Sequence, residues 1–319
     1  MPEIENVVVL LRMADDKKKE LEAILPGANY IYSNAQEVED SALQSADVIL
    51  GSLHPDRVKD LTRLKWMQVS SAGTDRYQKE GAFPKQAVLT NAKGGYGLVV
   101  AEFMVGLVFT LIRKLHNYRD YQNEGVWGEE LDVTTVSNST VLVIGMGDIG
   151  REFAKRMKAM GCYIIGVTRS SLTKPEYVDE VYTVEKLDEL LPRADIVSLS
   201  VPSTDETKRI ISKERIGMLK KSAVIINIGR GTAIDTESLA NALERGQIQA
   251  AALDVVDPEP LPAGHRLWKM KNVLITPHVA GNYGTDDATE KIDAIFLSNF
   301  RAYVNGEELK NIVDFNKGY

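Results

Sequence analysis

The chain has 319 residues, of which 44% are hydrophobic and 26% are charged, as is typical of a soluble globular protein. A net charge of −7 argues against a nucleic-acid partner, and the one cysteine, Cys162, cannot form an internal disulfide. The longest apolar zone, residues 98–112, is too short to span a bilayer and contains Glu102. We therefore predict a cytoplasmic protein that has no metal, nucleic-acid or membrane partner.

Short apolar runs alternate with polar, helix-compatible segments along the chain, as in parallel sheets covered by helices. Strands are predicted at residues 7–11, 30–32, 48–50 and 66–69, with helices at 17–25 and 55–64. An apolar segment without turn signals predicts one long helix over residues 98–118. A second series of strands is predicted at 141–144, 163–168, 196–200, 224–228, 250–254 and 273–276, and a last helix at 285–304.

This pattern predicts an α/β protein with two doubly wound parallel-sheet domains. One domain combines residues 1–98 with 284–319, because the last helix returns to it. The other comprises residues 99–283. A crevice between two such domains is where a ligand would bind.

Three glycines follow the strand at residues 141–144 with the spacing G-x-G-x-x-G and precede a predicted helix. In this context Gly145 permits a tight turn, Gly147 permits close approach of a pyrophosphate, and Gly150 permits close packing of helix on strand. Asp148 and Ile149 lie where the helix begins and presents unpaired amides to phosphates. The motif predicts a dinucleotide site; the alternative is a glycine-rich turn without a ligand.

The end of the next strand predicts which dinucleotide binds. NAD-binding folds place an acidic residue about 20 residues after the glycines, where it binds the ribose. Here the strand ends in Thr168, Arg169 and Ser170, with no acid. An arginine with hydroxyl neighbours can hold a 2′-phosphate, so we expect NADP with Arg169 as the phosphate clamp. The alternatives are an exposed loop arginine without a ligand, and the use of NAD as well.

Three later segments, residues 226–231, 253–260 and 275–281, each end a strand of the second series with reactive side chains. The carboxyl ends of parallel strands lie at one edge of a sheet, so these side chains can converge. They include Arg230, Glu259 and His278. The four histidines show no spacing typical of metal ligands.

The motifs GMGDIG, NIGRG, DVVDPEP and PHVAG, in this order and spacing, resemble those of the D-isomer-specific 2-hydroxyacid dehydrogenase family. The similarity extends from residues 70–75 through Gly281. It implies two Rossmann-like domains separated by a cleft, a flavodoxin-like substrate domain, and a homodimer formed through the cofactor domain. It also implies reduction of a small 2-keto acid, such as glyoxylate or hydroxypyruvate, to a D-2-hydroxy acid.

By this resemblance Arg230, Glu259 and His278 are the catalytic residues. An imidazole exchanges its proton near neutral pH and suits a proton donor, and a carboxylate beside it favours the imidazolium. A guanidinium can bind the substrate carboxylate and polarise the carbonyl. The alternatives are a surface-turn arginine, an ordinary loop acid and a buried structural histidine.

The resemblance also implies that Asp254 binds the nicotinamide amide and that Pro202 lies beside the adenosine. The amides of Ala72 and Gly73 would hold the substrate carboxylate, unless they form an ordinary strand-to-helix turn. Of the other histidines, only His54 is considered near the substrate; His116 and His265 have no predicted catalytic role. Further predicted cofactor contacts are Ile228, Gly229, His278 and Gly281.

We expect an NADPH-preferring reductase of small 2-keto acids. Two alternatives remain: a corepressor-like protein that senses dinucleotides without turnover, and an enzyme similar to phosphoglycerate dehydrogenase.

Overall fold

The computed structural model describes residues 3–281 and 286–315. By its internal contacts the chain divides into two compact units, residues 1–96 with 283–319, and residues 97–282. The domain boundary predicted near residue 283 lies outside the described residues.

The first unit is built on a parallel five-stranded sheet in the order β2-β1-β3-β4-β5. Its strands are β1 (Asn6–Val9), β2 (Asn29–Tyr32), β3 (Val48–Leu50), β4 (Trp66–Gln68) and β5 (Val88–Thr90). Its first helices are α1 (Asp15–Ile24), α2 (Asp40–Ser45) and α3 (Pro55–Val58). Four of these strands were predicted and β5 was not. The helix predicted over residues 55–64 is wrong beyond Val58, where the chain continues in turns.

The second unit is built on a parallel seven-stranded sheet in the order β12-β11-β10-β9-β6-β7-β8. Its strands are β6 (Thr140–Ile144), β7 (Tyr163–Thr168), β8 (Glu180–Thr183), β9 (Ile196–Leu199), β10 (Val224–Asn227), β11 (Ala250–Leu253) and β12 (Val273–Ile275). Its helices are α4 (Gly97–Ile112), α5 (Leu115–Glu124), α6 (Asp148–Ala159), α7 (Leu187–Leu190), α8 (Lys213–Gly217) and α9 (Thr236–Glu244). The predicted two-sheet parallel α/β class is confirmed; β8 was not predicted.

The strand order of the second sheet reverses between β6 and β9, which are adjacent although three strands apart in order along the chain. Ligands of doubly wound sheets bind beyond the carboxyl ends of the strands at such a reversal. The central strands β9, β10 and β11 are entirely buried, as expected when both faces of a sheet are covered. The fold thus places the loops after β6 and β9 at the position that favours a ligand.

The single helix predicted over residues 98–118 is wrong, because the chain breaks between α4 and α5. Lys114 adopts a left-handed conformation with φ of 53°. Glu130, from a later loop, accepts hydrogen bonds from the side chains of Lys114, Asn117 and Tyr121 at 2.9–3.0 Å. These hydrogen bonds from a distant residue hold α5 as a helix separate from α4.

The last helix, α10 (Asp286–Asn305), belongs to the first unit. The first residue predicted for this helix, Thr285, lies outside the described residues. The buried Asn299 side chain donates to Gln68 Oε1 of β4 at 2.7 Å, and Phe300 stacks on Trp66. Among residues 3–281 and 286–315, each helix is either too short or too polar to traverse a bilayer.

Candidate active site

The loop between β6 and α6 has a geometry that only glycine permits at two positions. Gly145 has a φ of +98°, and a Cβ on Gly150 would lie 2.0 Å from the carbonyl oxygen of Gly145. Ser200, just after β9, donates its hydroxyl to that same oxygen at 2.8 Å. The loop is therefore fastened against the end of β9, at the reversal of strand order.

This loop fits a dinucleotide. The amides of Gly147, Ile149 and Gly150 have no hydrogen-bond acceptor within the described part of the chain. Amides in the first turn of a helix cannot be satisfied within the helix, and together with its dipole they attract phosphate groups. Pro202 follows β9 and lies at the same edge of the sheet.

The segment after β7 lies next to this loop, since β7 pairs with β6. Thr168 donates its hydroxyl to the carbonyl of Ser171 at 2.7 Å, which closes a tight turn. Arg169 and Ser170 form the exposed part of this turn. Their role at the adenosine end of the cofactor stays a prediction.

The loop that carries Arg230 follows β10 and is held from both sides. The buried Asn227 donates to the Arg230 carbonyl at 3.0 Å and accepts from the Gly229 amide at 3.1 Å. A Cβ on Gly231 would lie 1.9 Å from the Val256 carbonyl oxygen, so this loop touches the one that leads from β11 to Glu259. Arg230 is partly exposed, and its Nη1 donates to the Gly229 carbonyl at 2.7 Å. Ile228, also in this loop, is buried.

Asp254, buried at the end of β11, organises the loop that carries His278. Its Oδ1 accepts from Thr276 Oγ1 at 2.6 Å and from the Val279 amide at 2.9 Å, and its Oδ2 accepts from the Ala280 amide at 3.0 Å. The Asp254 carbonyl accepts from the His278 amide at 2.8 Å. Sequence reasoning assigned Asp254 only a cofactor contact and missed this function, for which a buried acid at a strand end is the only signal.

His278 and Glu259 form a hydrogen-bonded pair, with 2.7 Å between His278 Nδ1 and Glu259 Oε1. Both side chains are about half exposed. His278 has a φ of 54°, an uncommon conformation for a residue with a Cβ, and the bonds from Asp254 hold it there. Because Glu259 engages Nδ1, Nε2 is left to face a ligand, and no partner for it occurs in the described residues. Gly281 lies in a turn three residues further along the chain.

In the first unit, Ala72 and Gly73 lie in a turn after β4. Ser70 bonds to Ser52 at 3.1 Å through the two hydroxyl groups, and Ser71 donates to the Gly73 carbonyl at 2.7 Å. The amides of Ala72 and Gly73 meet no acceptor in the portion of the chain that is described. The turn could therefore donate to an anion, and its role stays a prediction.

The remaining histidines serve local structure. His54 and His265 each accept from a backbone amide at the start of a short helix, at 3.3 and 3.2 Å. His116 contacts the carbonyls of Thr110 and Lys271. No group of three or more metal-binding side chains occurs within residues 3–281 and 286–315.

The sequence matches a known family and resembles curated members of it. Residues 105–280 match the family described as D-isomer specific 2-hydroxyacid dehydrogenase, NAD binding domain. A glyoxylate reductase of Thermofilum pendens is 34% identical over 249 residues, which cover 76% of this chain and 73% of the relative.

Two crystal structures also resemble the chain over nearly its full length. A D-isomer specific 2-hydroxyacid dehydrogenase family protein from Aeromonas salmonicida has a TM-score of 0.86 and 29% identity, covering 98% of this chain and 100% of that one. An NADPH-dependent glyoxylate/hydroxypyruvate reductase from Sinorhizobium meliloti, in complex with NADP and sulfate, has a TM-score of 0.80 and 26% identity, covering 99% and 100%. The resemblance found in the sequence is confirmed: the chain belongs to the D-isomer-specific 2-hydroxyacid dehydrogenase family of oxidoreductases.

Proposed function

We propose that this protein reduces a small 2-keto acid, such as glyoxylate or hydroxypyruvate, to the D-2-hydroxy acid, with NADPH as the preferred cofactor. The observation that carries the proposal is the His278–Glu259 pair, at the same edge of the sheet as a glycine loop suited to a dinucleotide. The names of the glyoxylate reductase and the glyoxylate/hydroxypyruvate reductase described above support this substrate class. They do not favour the corepressor-like alternative.

Each side chain then has a defined task. A nicotinamide cofactor bound at the glycine loop would supply the hydride for the keto carbon. His278 donates a proton from Nε2 to the carbonyl oxygen, while Glu259, hydrogen-bonded at Nδ1, orients the ring. Arg230 binds the substrate carboxylate and draws electron density from the carbonyl. The hydride and the proton together convert the keto group to a hydroxyl group.

The cofactor would be held by residues at or just after the ends of β6, β7, β9, β10, β11 and β12. Gly145, Gly147, Asp148, Ile149 and Gly150 would receive the pyrophosphate, and Asp254 the nicotinamide amide. Thr168, Arg169 and Ser170 would bind the 2′-phosphate. The other proposed contacts are Pro202, Ile228, Gly229, His278 and Gly281. Ala72 and Gly73 of the first unit remain proposed donors to the substrate carboxylate.

A test measures the loss of NADPH absorbance with a panel of 2-keto acids. We expect turnover with at least one acid, and about 10²–10⁴-fold less in His278→Ala. Tight NADPH binding without turnover of any acid would contradict the proposal.

NADP preference has its own test. Arg169→Asp should lose affinity for NADPH and keep affinity for NADH, because the new carboxylate repels only the 2′-phosphate. Unchanged NADPH preference would refute the clamp.

We also propose a homodimer, which an exposed apolar segment supports. Trp127 is fully exposed and Leu131 is 83% exposed, and Val126 and Val133 lie beside them. Glu130 anchors the segment, so these side chains are presented in a fixed arrangement. Sedimentation analysis should give a dimer for the wild type and a monomer for Trp127→Asp. Met218→Asp, a change at an exposed apolar residue elsewhere, serves as the control. The cytoplasmic location remains a prediction from the single cysteine.

A further inference from the structure

Arg151, the residue directly after the glycine motif, is held at the glycine loop by its own side chain. Its Nε donates to the carbonyl oxygen of Met146 at 3.0 Å, and Met146 stands between the first two glycines. The bond uses one donor of the guanidinium and leaves the four N–H groups of its two terminal nitrogens. This exposed side chain in the first turn of α6 is thereby tethered beside the loop.

Among the described residues, the charge of Arg151 is not neutralised by an acid, unlike the charges of Arg156 and Lys158 on the same helix. Arg156 pairs with Glu152 at 2.5 Å, and Lys158 pairs with Asp179 at 2.6 Å. In the described part of the chain, no carboxylate oxygen lies within 4.0 Å of Arg151. A fixed cation without a counter-charge is suited to bind an anion that comes from outside the chain.

Asp148, the acidic residue beside the glycine loop, packs against α4. A Cβ built on Gly97, the first residue of α4, would lie 2.4 Å from Asp148 Oδ1, so the carboxylate packs directly against that residue. It therefore lies on the side of α6 that faces α4. Although Asp148 is only three residues from Arg151, the two side chains have different neighbours: Asp148 packs against Gly97, and Arg151 bonds to the Met146 carbonyl.

The position of Arg151 on α6 shows which other part of the site it is near. Lys158 follows Arg151 by seven positions, which is about two helical turns, so both lie on one side of the helix. Lys158 reaches Asp179, which also accepts from the Ile164 amide of β7 at 2.8 Å. The buried face of α6 carries Gly150, Phe153, Ala154 and Met157, and Arg151 lies with Lys158 on the more exposed flank nearer β7. Arg151 is therefore bonded to the glycine loop and lies on the side of α6 nearer the proposed 2′-phosphate clamp at the end of β7.

We propose that Arg151 is a second phosphate-binding cation of the cofactor site, a role that rests on the dinucleotide binding proposed above. A guanidinium presents paired donors that match two phosphate oxygens. The cofactor offers two such groups, the pyrophosphate at the glycine loop and the 2′-phosphate at the end of β7. Both are phosphate esters, and binding experiments separate them.

The test compares dissociation constants of NADPH and NADH for the wild type, Arg151→Ala and a matched control. Lys155→Ala is the control, because Lys155 is an exposed cation one turn further along α6. Removal of a charge-assisted contact should weaken binding about 10- to 100-fold in Arg151→Ala, with a change below about twofold in Lys155→Ala. An equal loss for both cofactors identifies the pyrophosphate, and a loss for NADPH alone identifies the 2′-phosphate.

Two further measurements exclude a role limited to support of the loop. Arg151→Lys keeps the charge and should recover part of the affinity, and Arg151→Ala should show a shallower dependence of affinity on salt concentration. Equal losses in the Lys and Ala variants with unchanged salt dependence, or binding of both cofactors as in the wild type, would overturn the inference. A wild-type protein that binds neither cofactor would instead remove the proposed function.

Discussion

Replacement of Asp254 by asparagine tests whether this buried acid holds the loop that positions His278. The carboxylate accepts three hydrogen bonds, from Thr276, Val279 and Ala280. An asparagine whose oxygen replaces Oδ1 keeps the first two but turns its NH₂ group toward the Ala280 amide. Two donors then face each other in a buried position, and a buried donor without an acceptor costs about 1–3 kcal/mol.

This cost fixes what should be measured for Asp254→Asn. If the loop opens locally, a decrease of about 2 kcal/mol in its free energy of opening raises the rate of amide hydrogen exchange at Val279 and Ala280 roughly 30-fold. The kcat should fall because His278, with its φ of 54°, is no longer held in place. Hydrogen–deuterium exchange by NMR and keto-acid turnover measure the two effects.

A matched control separates the loop from general stability. Asp195 also accepts from a backbone amide, that of Thr140 at 2.9 Å, at the beginning of β6. Asp195→Asn should lower the melting temperature but leave both exchange at residues 276–281 and kcat unchanged. Wild-type exchange and wild-type kcat in Asp254→Asn would refute the assignment of this acid as the support of the loop.

Three further predictions concern single sites. Gly231→Ala should destabilise the fold by about 1–3 kcal/mol, because the new Cβ would collide with the Val256 carbonyl oxygen. Gly217→Ala is the control and should leave stability unchanged, because a Cβ at Gly217 meets no neighbouring atom. Thermal denaturation of the two variants measures the difference. Glu259→Gln should lower kcat about 10- to 100-fold with little change in NADPH affinity, since only the charge beside His278 is lost; similar kcat values would contradict this role. Burial raises the pKa of Asp293 to about 6 from 3.8, so the folded state loses stability as pH rises from about 4 to 6. Asp293→Asn should lack this loss and be more stable at pH 8 by at most about 3 kcal/mol, measured by denaturant unfolding at both pH values.

Local sequence patterns were sufficient to predict most strands of the second sheet. Its central strands are predominantly apolar because both faces of the sheet are covered, and this is a strong local signal. The strands that were missed carry weak signals. β5 contains only two apolar residues, Val88 and Leu89, and β8 (Glu180–Thr183) is a partly exposed strand with polar residues at both ends, at the edge of its sheet. The break at Lys114 depends on Glu130, which no local window of the helix contains.

The candidate site divides in the same way. Glycine spacing and the residues after each strand identified the loops, because steric demand and chemistry act within a few positions of the chain. The pairing of His278 with Glu259 and the support by Asp254 join residues that are far apart in sequence. Arg151 is one of four cations on α6, and only its bond to the Met146 carbonyl distinguishes it from the others. Sequence alone therefore determined the family, the fold class and the type of chemistry. Only the tertiary structure decided which side chains meet, because hydrogen bonds depend on distances that the folded chain sets.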